Sequence, residues 1–160
     1  MTVVAVTGHL DLRGETVRLV RDALLDLLAG HRADGLTGVS CLAPGADALF
    51  ADAVLALGGR LEVVLPSPAY RTTAVTEDYA PEFDRLCDHA ADVLVLPEPA
   101  PGPAAYVAAN AELLRRADRL VAVWDGLPGA GPGGTADMVA TARTAGLPVD
   151  RIWPPGASRG

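Results

Sequence analysis

The chain has 160 residues, half of them apolar, with a net charge of −7 and a pI of about 4.8. That length supports one domain with a real core, and the apolar share excludes disorder driven by charge. No Lys/Arg cluster forms a stripe able to neutralise a phosphate backbone, which argues against a nucleic-acid partner.

Strand and helix signals alternate from end to end. Residues 2–7 (TVVAVT) form a short apolar run stopped by Gly8. Over 15–29, Val17, Val20, Leu24, Leu27 and Leu28 recur at helical spacing, and Gly30 closes the helix. Residues 36–42 predict a second strand, the Ala43-Pro44-Gly45 turn leads into a helix over 46–57, and 61–65 predict a third strand halted by Pro66. A longer connection through Tyr70 and Arg71 reaches a helix over about 79–91. Strand 93–96 follows, then a loop over 97–103 that holds four prolines. A helix over about 104–117 leads to strand 119–124. A Gly/Pro-rich loop over 126–134 opens a helix over 135–145, and strand 148–153 comes last.

This order predicts an α/β, three-layer Rossmann-like fold: a mostly parallel sheet of about six strands with helices on both faces. Only 4% of the residues are aromatic, so the core is built from Val, Leu and Ala, which suits strands buried on both faces. Residues 1–154 read as one domain and 155–160 as a flexible tail. The N-terminus lacks a basic region, and no apolar run approaches the roughly 18 residues of a membrane span, so a cytoplasmic location is expected. Cys41 and Cys87 are far apart and read as two free thiols.

Ligands of such sheets sit beyond the carboxyl ends of the strands, where strand order reverses. Four segments meet that edge. Gly8-His9 permits close backbone approach, with His9 either a phosphate or base donor or a surface residue. Ala43-Pro44-Gly45-Ala46-Asp47 feeds a helix start whose N–H groups can cradle an anion; Asp47 either caps that helix or accepts sugar hydroxyls. Ser67, Tyr70 and Arg71 offer a hydroxyl, a stacking face and a guanidinium fork. Finally, five glycines in nine residues (126–134) precede Thr135 and Asp137, near Trp124.

Within that loop, 129–134 match G-x-G-x-x-G, but they follow a late strand and Pro132 removes a donor, so a dinucleotide fingerprint is rejected. The histidines and cysteines show no metal spacing, and no cofactor is expected. The chain has no lysine, which excludes a P-loop NTPase.

In this order, Thr-Gly-His, Ser-Cys-Leu-Ala-Pro-Gly-Ala-Asp, Pro-Ser-Pro-Ala-Tyr-Arg and Gly-Pro-Gly-Gly-Thr-Ala-Asp resemble the SLOG superfamily, over roughly residues 2–153. That group joins Smf/DprA, the LONELY GUY phosphoribohydrolases and nucleotide-sensing domains. The resemblance implies a nucleotide or nucleotide-derived phosphate ligand. Gly8 and His9 would lie near it, as would Ala43, Gly45, Ala46 and Asp47. Gly131, Gly133, Gly134 and Thr135 would hold phosphate, with Asn110 reaching base or sugar. An enzyme of the phosphoribohydrolase type is the alternative, with Asp137 or Asp47 as its carboxylate. The glutamate of the LONELY GUY pattern P-G-G-x-G-T-x-x-E is replaced here by Met138, and Asp137 is one residue early, about 100° round the helix. The resemblance also implies a homodimer.

Overall fold

The structure, a computed structural model, describes residues 1–129 and 131–160. Six strands form one sheet in the order β4-β3-β2-β1-β5-β6, and every neighbouring pair is parallel. They are β1 (Thr2–Gly8), β2 (Leu36–Ser40), β3 (Arg60–Leu65), β4 (Asp92–Val95), β5 (Arg119–Val123) and β6 (Val149–Ile152). The helices are α1 (Glu15–Ala29), α2 (Ala46–Ala56), α3 (Tyr70–Thr73), α4 (Ala80–His89), α5 (Pro103–Arg116) and α6 (Thr135–Thr144).

The period-2 alternation of β1 divides the core. Val4 and Val6 face α1 and α2, in a cluster with Leu24, Leu28 and Phe50. Ala5 faces the other way, onto α5 and α6, with Leu113, Met138 and Val139. A third cluster packs α2 and α4 against β3 through Ala51, Leu61, Val63, Phe83 and Leu86. The small residues of α2 and α5 let both helices sit close to the strands. Strand order reverses at β1, which is flanked by β2 and β5, and the binding edge therefore centres on Gly8.

The sheet is wholly parallel rather than mostly so. The connection after β3 contains the short helix α3, and a single 3-10 turn (Arg32–Asp34) precedes β2. Both are too short for a hydrophobic period to reveal. Pro103 begins α5 instead of ending the preceding loop, since a first-turn proline loses no helical hydrogen bond. The last residues make contacts with the rest of the domain. Arg159 pairs with Asp11 at 2.9 Å, Gly160 N–H donates to the Asp11 carbonyl, and Ser158 N–H donates to Thr16 Oγ1. No described helix is long and apolar enough to cross a membrane.

Candidate functional site

The carboxyl edge holds a cavity of about 310 Å³, between the end of β1, the β2–α2 turn, α3, α5 and the start of α6. Its floor is Val6, Thr7 and Gly8; Cys41, Ala43 and Asp47 form one wall, Tyr70 and Ala74 a second. Tyr106, Asn110 and Leu113 come from α5, and Gly133, Gly134 and Thr135 close the mouth.

Two glycines shape it. Gly45 has φ +81°, and a Cβ there would lie 2.6 Å from the His9 carbonyl oxygen. This close approach lets Ala46 N–H donate to that same carbonyl and locks α2 beneath the β1 turn. Gly133 has φ +83°, and a Cβ would stand 2.9 Å from Tyr106 Cβ, so the Gly-rich loop lies directly on α5. Asn110 Nδ2 reinforces the contact by donating to the Gly133 carbonyl at 3.2 Å.

α6 starts without a side-chain cap from Gly134. Gly133 N–H is taken by the Asp137 carboxylate at 3.0 Å and Gly134 N–H by the Gly131 carbonyl. The N–H groups of Thr135, Ala136 and Asp137 have no acceptor among the described residues. Thr135 stands at the mouth, Ala136 lines the neighbouring groove that shares Thr135, and the positive end of the helix dipole lies between them.

Asp47 is the only charged residue of the lining and is 8% exposed. Its Oδ2 accepts the Ala43 N–H at 3.3 Å. Burial outweighs that hydrogen bond and pushes the carboxyl up to about 7. Burial, and then the neighbouring Asp47, also push the Cys41 thiol well up, so it stays protonated and unreactive. No arginine lines the cavity.

The structure brings Gly8, Ala43, Asp47, Tyr70, Asn110, Gly133, Gly134 and Thr135 together, with Gly45 and Ala46 supporting them from behind. Other expected residues are elsewhere. Arg71 is clamped in a two-pronged pair with Asp84, 2.9 Å on both prongs, facing a shallow outer groove. Ser67 is buried outside the lining, its Oγ without a partner. Gly131 and Asp137 flank the outer face of the loop. His9 and Trp124 line a neighbouring groove that shares Gly8, Gly134 and Thr135 with the cavity. His9 Nε2 accepts the Asp125 N–H at 3.1 Å, and burial, then Arg159, lower its pKa, so its ring is a neutral prop for the β5 loop. The Trp124 indole donates to the Leu127 carbonyl.

Tyr106 and Leu113 were not anticipated as lining residues. Tyr106 stands one turn before Asn110, on the same helix face, and that i, i+4 spacing was a usable signal.

Among solved structures, this chain is similar to DNA processing protein A (DprA) from Streptococcus pneumoniae, at 20% identity and TM-score 0.69, covering 98% of this chain and 52% of that one. DprA from Helicobacter pylori, described for its single-stranded DNA binding mode, gives 14% identity and TM-score 0.70 over 99% and 68%. The chain shares the fold of these proteins. The molybdenum cofactor carrier protein of Chlamydomonas reinhardtii is similar in fold as well, at 21% identity and TM-score 0.55 over 94% and 75%. The chain spans about half the length of the S. pneumoniae protein. No protein-family model and no curated protein matches the sequence. Within this fold, the cavity lies where strand order reverses.

Proposed function

We propose that this chain is a sensor or carrier domain that binds a nucleotide or nucleotide-derived phosphate ligand in the carboxyl-edge cavity. The observation that carries this reading is the start of α6, with unpaired N–H groups at Thr135, Ala136 and Asp137, whose first residue Thr135 lines the mouth of a cavity with apolar, aromatic walls. The phosphate rests on the start of α6 and the rest of the ligand lies against the wall that Tyr70 and Tyr106 form together. The domain works in the cytoplasm, and the reading includes a homodimer.

The single-stranded DNA of the H. pylori protein is the weaker partner. Arg18, Arg60, Arg71, Arg85, Arg115, Arg116, Arg119 and Arg159 each pair with a carboxylate, and the net charge is −7. A channel for single-stranded DNA needs a basic groove.

One observation supports a second reading, a phosphoribohydrolase acting on nucleoside 5′-monophosphates. Asp47, raised to about 7, sits inside the cavity where a general acid or base is required. Asp137 is occupied in capping its own loop.

A thermal-shift panel of AMP, GMP, ADP-ribose, NAD and ribose 5-phosphate, each well then assayed for free base, tests both. A ligand at 100 times its dissociation constant adds about 2.7 kcal/mol. Stabilisation without base release supports the binding domain, stabilisation with release supports the hydrolase, and no stabilisation overturns both.

A further inference from the structure

The cavity has an inner and an outer end with opposite hydrogen-bonding character. At the mouth stand unpaired N–H donors. Inside, acceptors prevail. Asp47 Oδ1 has no partner among the described residues, although its side chain is more than nine-tenths buried. Asn110 spends its amide nitrogen on the Gly133 carbonyl, which leaves its oxygen free. Tyr70, 2% exposed, lines the cavity as well, and its hydroxyl can donate or accept. These acceptors open onto the cavity, where a ligand donor can meet them.

Charge orders the ligand in the same sense. An ionised Asp47 repels an anionic group, because no cation in the lining offsets the carboxylate. The phosphate is thereby held at the mouth and the uncharged end is sent inward. The walls there are Tyr70 and Tyr106, whose rings meet edge to face at 6.3 Å, together with Leu113. Such walls accept a flat ring and offer no other charged partner.

We propose that the inner end reads the N–H edge of a planar base, with Asp47 accepting from a ring N–H and an adjacent exocyclic amino group, so that guanine-type rings are selected. This rests on the nucleotide reading above and specifies the base for it. A guanine edge presents both donors side by side and satisfies the carboxylate with a pair of charge-assisted hydrogen bonds. Hypoxanthine keeps only the ring donor. Adenine sets an acceptor nitrogen beside its amino group, and xanthine turns a carbonyl toward the carboxylate. Each of these leaves the buried acceptor short of donors or opposed by one of its own kind.

The test is isothermal titration of the wild-type protein and Asp47→Asn with GMP, IMP, XMP, AMP and ribose 5-phosphate. The wild type is expected to bind GMP about ten- to a hundredfold tighter than AMP or XMP, with IMP between. In Asp47→Asn the new amide offers a donor to the xanthine carbonyl, so the GMP preference over XMP is expected to disappear or invert. AMP or XMP binding as tightly as GMP to the wild type overturns the base assignment and leaves the nucleotide reading standing. Failure of all five compounds to bind overturns both. If Asp47→Asn does not fold, the wild-type series decides alone.

Discussion

Asp47→Asn also has a consequence for stability that requires no ligand. The Asp47 carboxyl has an ordinary value of 3.8 and is pushed by burial up to about 7 in the folded protein. Between those limits the unfolded chain has released this proton while the folded protein retains it. Stability from this group is therefore complete below about pH 4 and is lost as pH rises through 7. The interval corresponds to a ceiling of roughly 4 kcal/mol. Asparagine does not titrate, and its side-chain oxygen can still accept the Ala43 N–H. The difference in unfolding free energy, wild type minus Asp47→Asn, should thus fall by several kcal/mol between pH 4 and 8. Urea unfolding at half-unit pH steps measures it, provided the denaturant slope is unchanged between the two proteins. His9, whose pKa is lowered, gains stability with rising pH, but it does so in both proteins and cancels. Cys41, Tyr70 and Tyr79, whose pKa values Asp47 helps to raise, are all pushed upward and are silent in this window. Parallel curves for the two proteins, within about 1 kcal/mol across the range, would refute the claim that Asp47 is held in an uncompensated, buried state.

Further substitutions test the walls and the periphery. Gly8→Ala places a Cβ into Ala46 Cβ and 2.9 Å from both Val123 Cβ and its carbonyl oxygen, so α2 must move off the sheet; a loss of about 3 kcal/mol in urea unfolding is expected. Arg71→Ala should leave nucleotide affinity unchanged within about twofold and cost under about 1 kcal/mol, because its pair with Asp84 is exposed and lies outside the cavity. Leu113→Ala, which removes a fully buried side chain between α5 and the sheet, should destabilise the protein by about 2–5 kcal/mol in the same assay.

The architecture was legible because its signals were redundant. Apolar runs such as 61–65, glycine or proline stops and the helical spacing of 15–29 all agree on alternating strands and helices. Short elements were not: α3 is a single turn created where Tyr70 plugs the third core cluster, a tertiary cause that no local pattern announces. The contacts of the last residues are hidden for a similar reason: Arg159 finds Asp11, 148 residues away.

The candidate site was half legible. Glycines 8, 45 and 133 stand out because close backbone approach demands them. Polar residues were harder, since each could turn toward the cavity or find a protein partner. Arg71 found Asp84, His9 found the Asp125 N–H and Asp137 found the Gly133 N–H. Asp47 was recognised as a residue of two readings, and the structure shows it both hydrogen-bonded to the Ala43 N–H and open to the cavity. Which way such residues turn depends on neighbours supplied by other elements.

The most direct test of nucleotide binding at the start of α6 is an amide-resolved NMR titration of the 15N-labelled protein with GMP and, separately, AMP. The predicted result is that the largest shifts fall on the Thr135, Ala136 and Asp137 amides for both nucleotides, with smaller changes at Gly8 and Asp47. Saturable shifts centred on other surfaces, or none with either nucleotide, would contradict it.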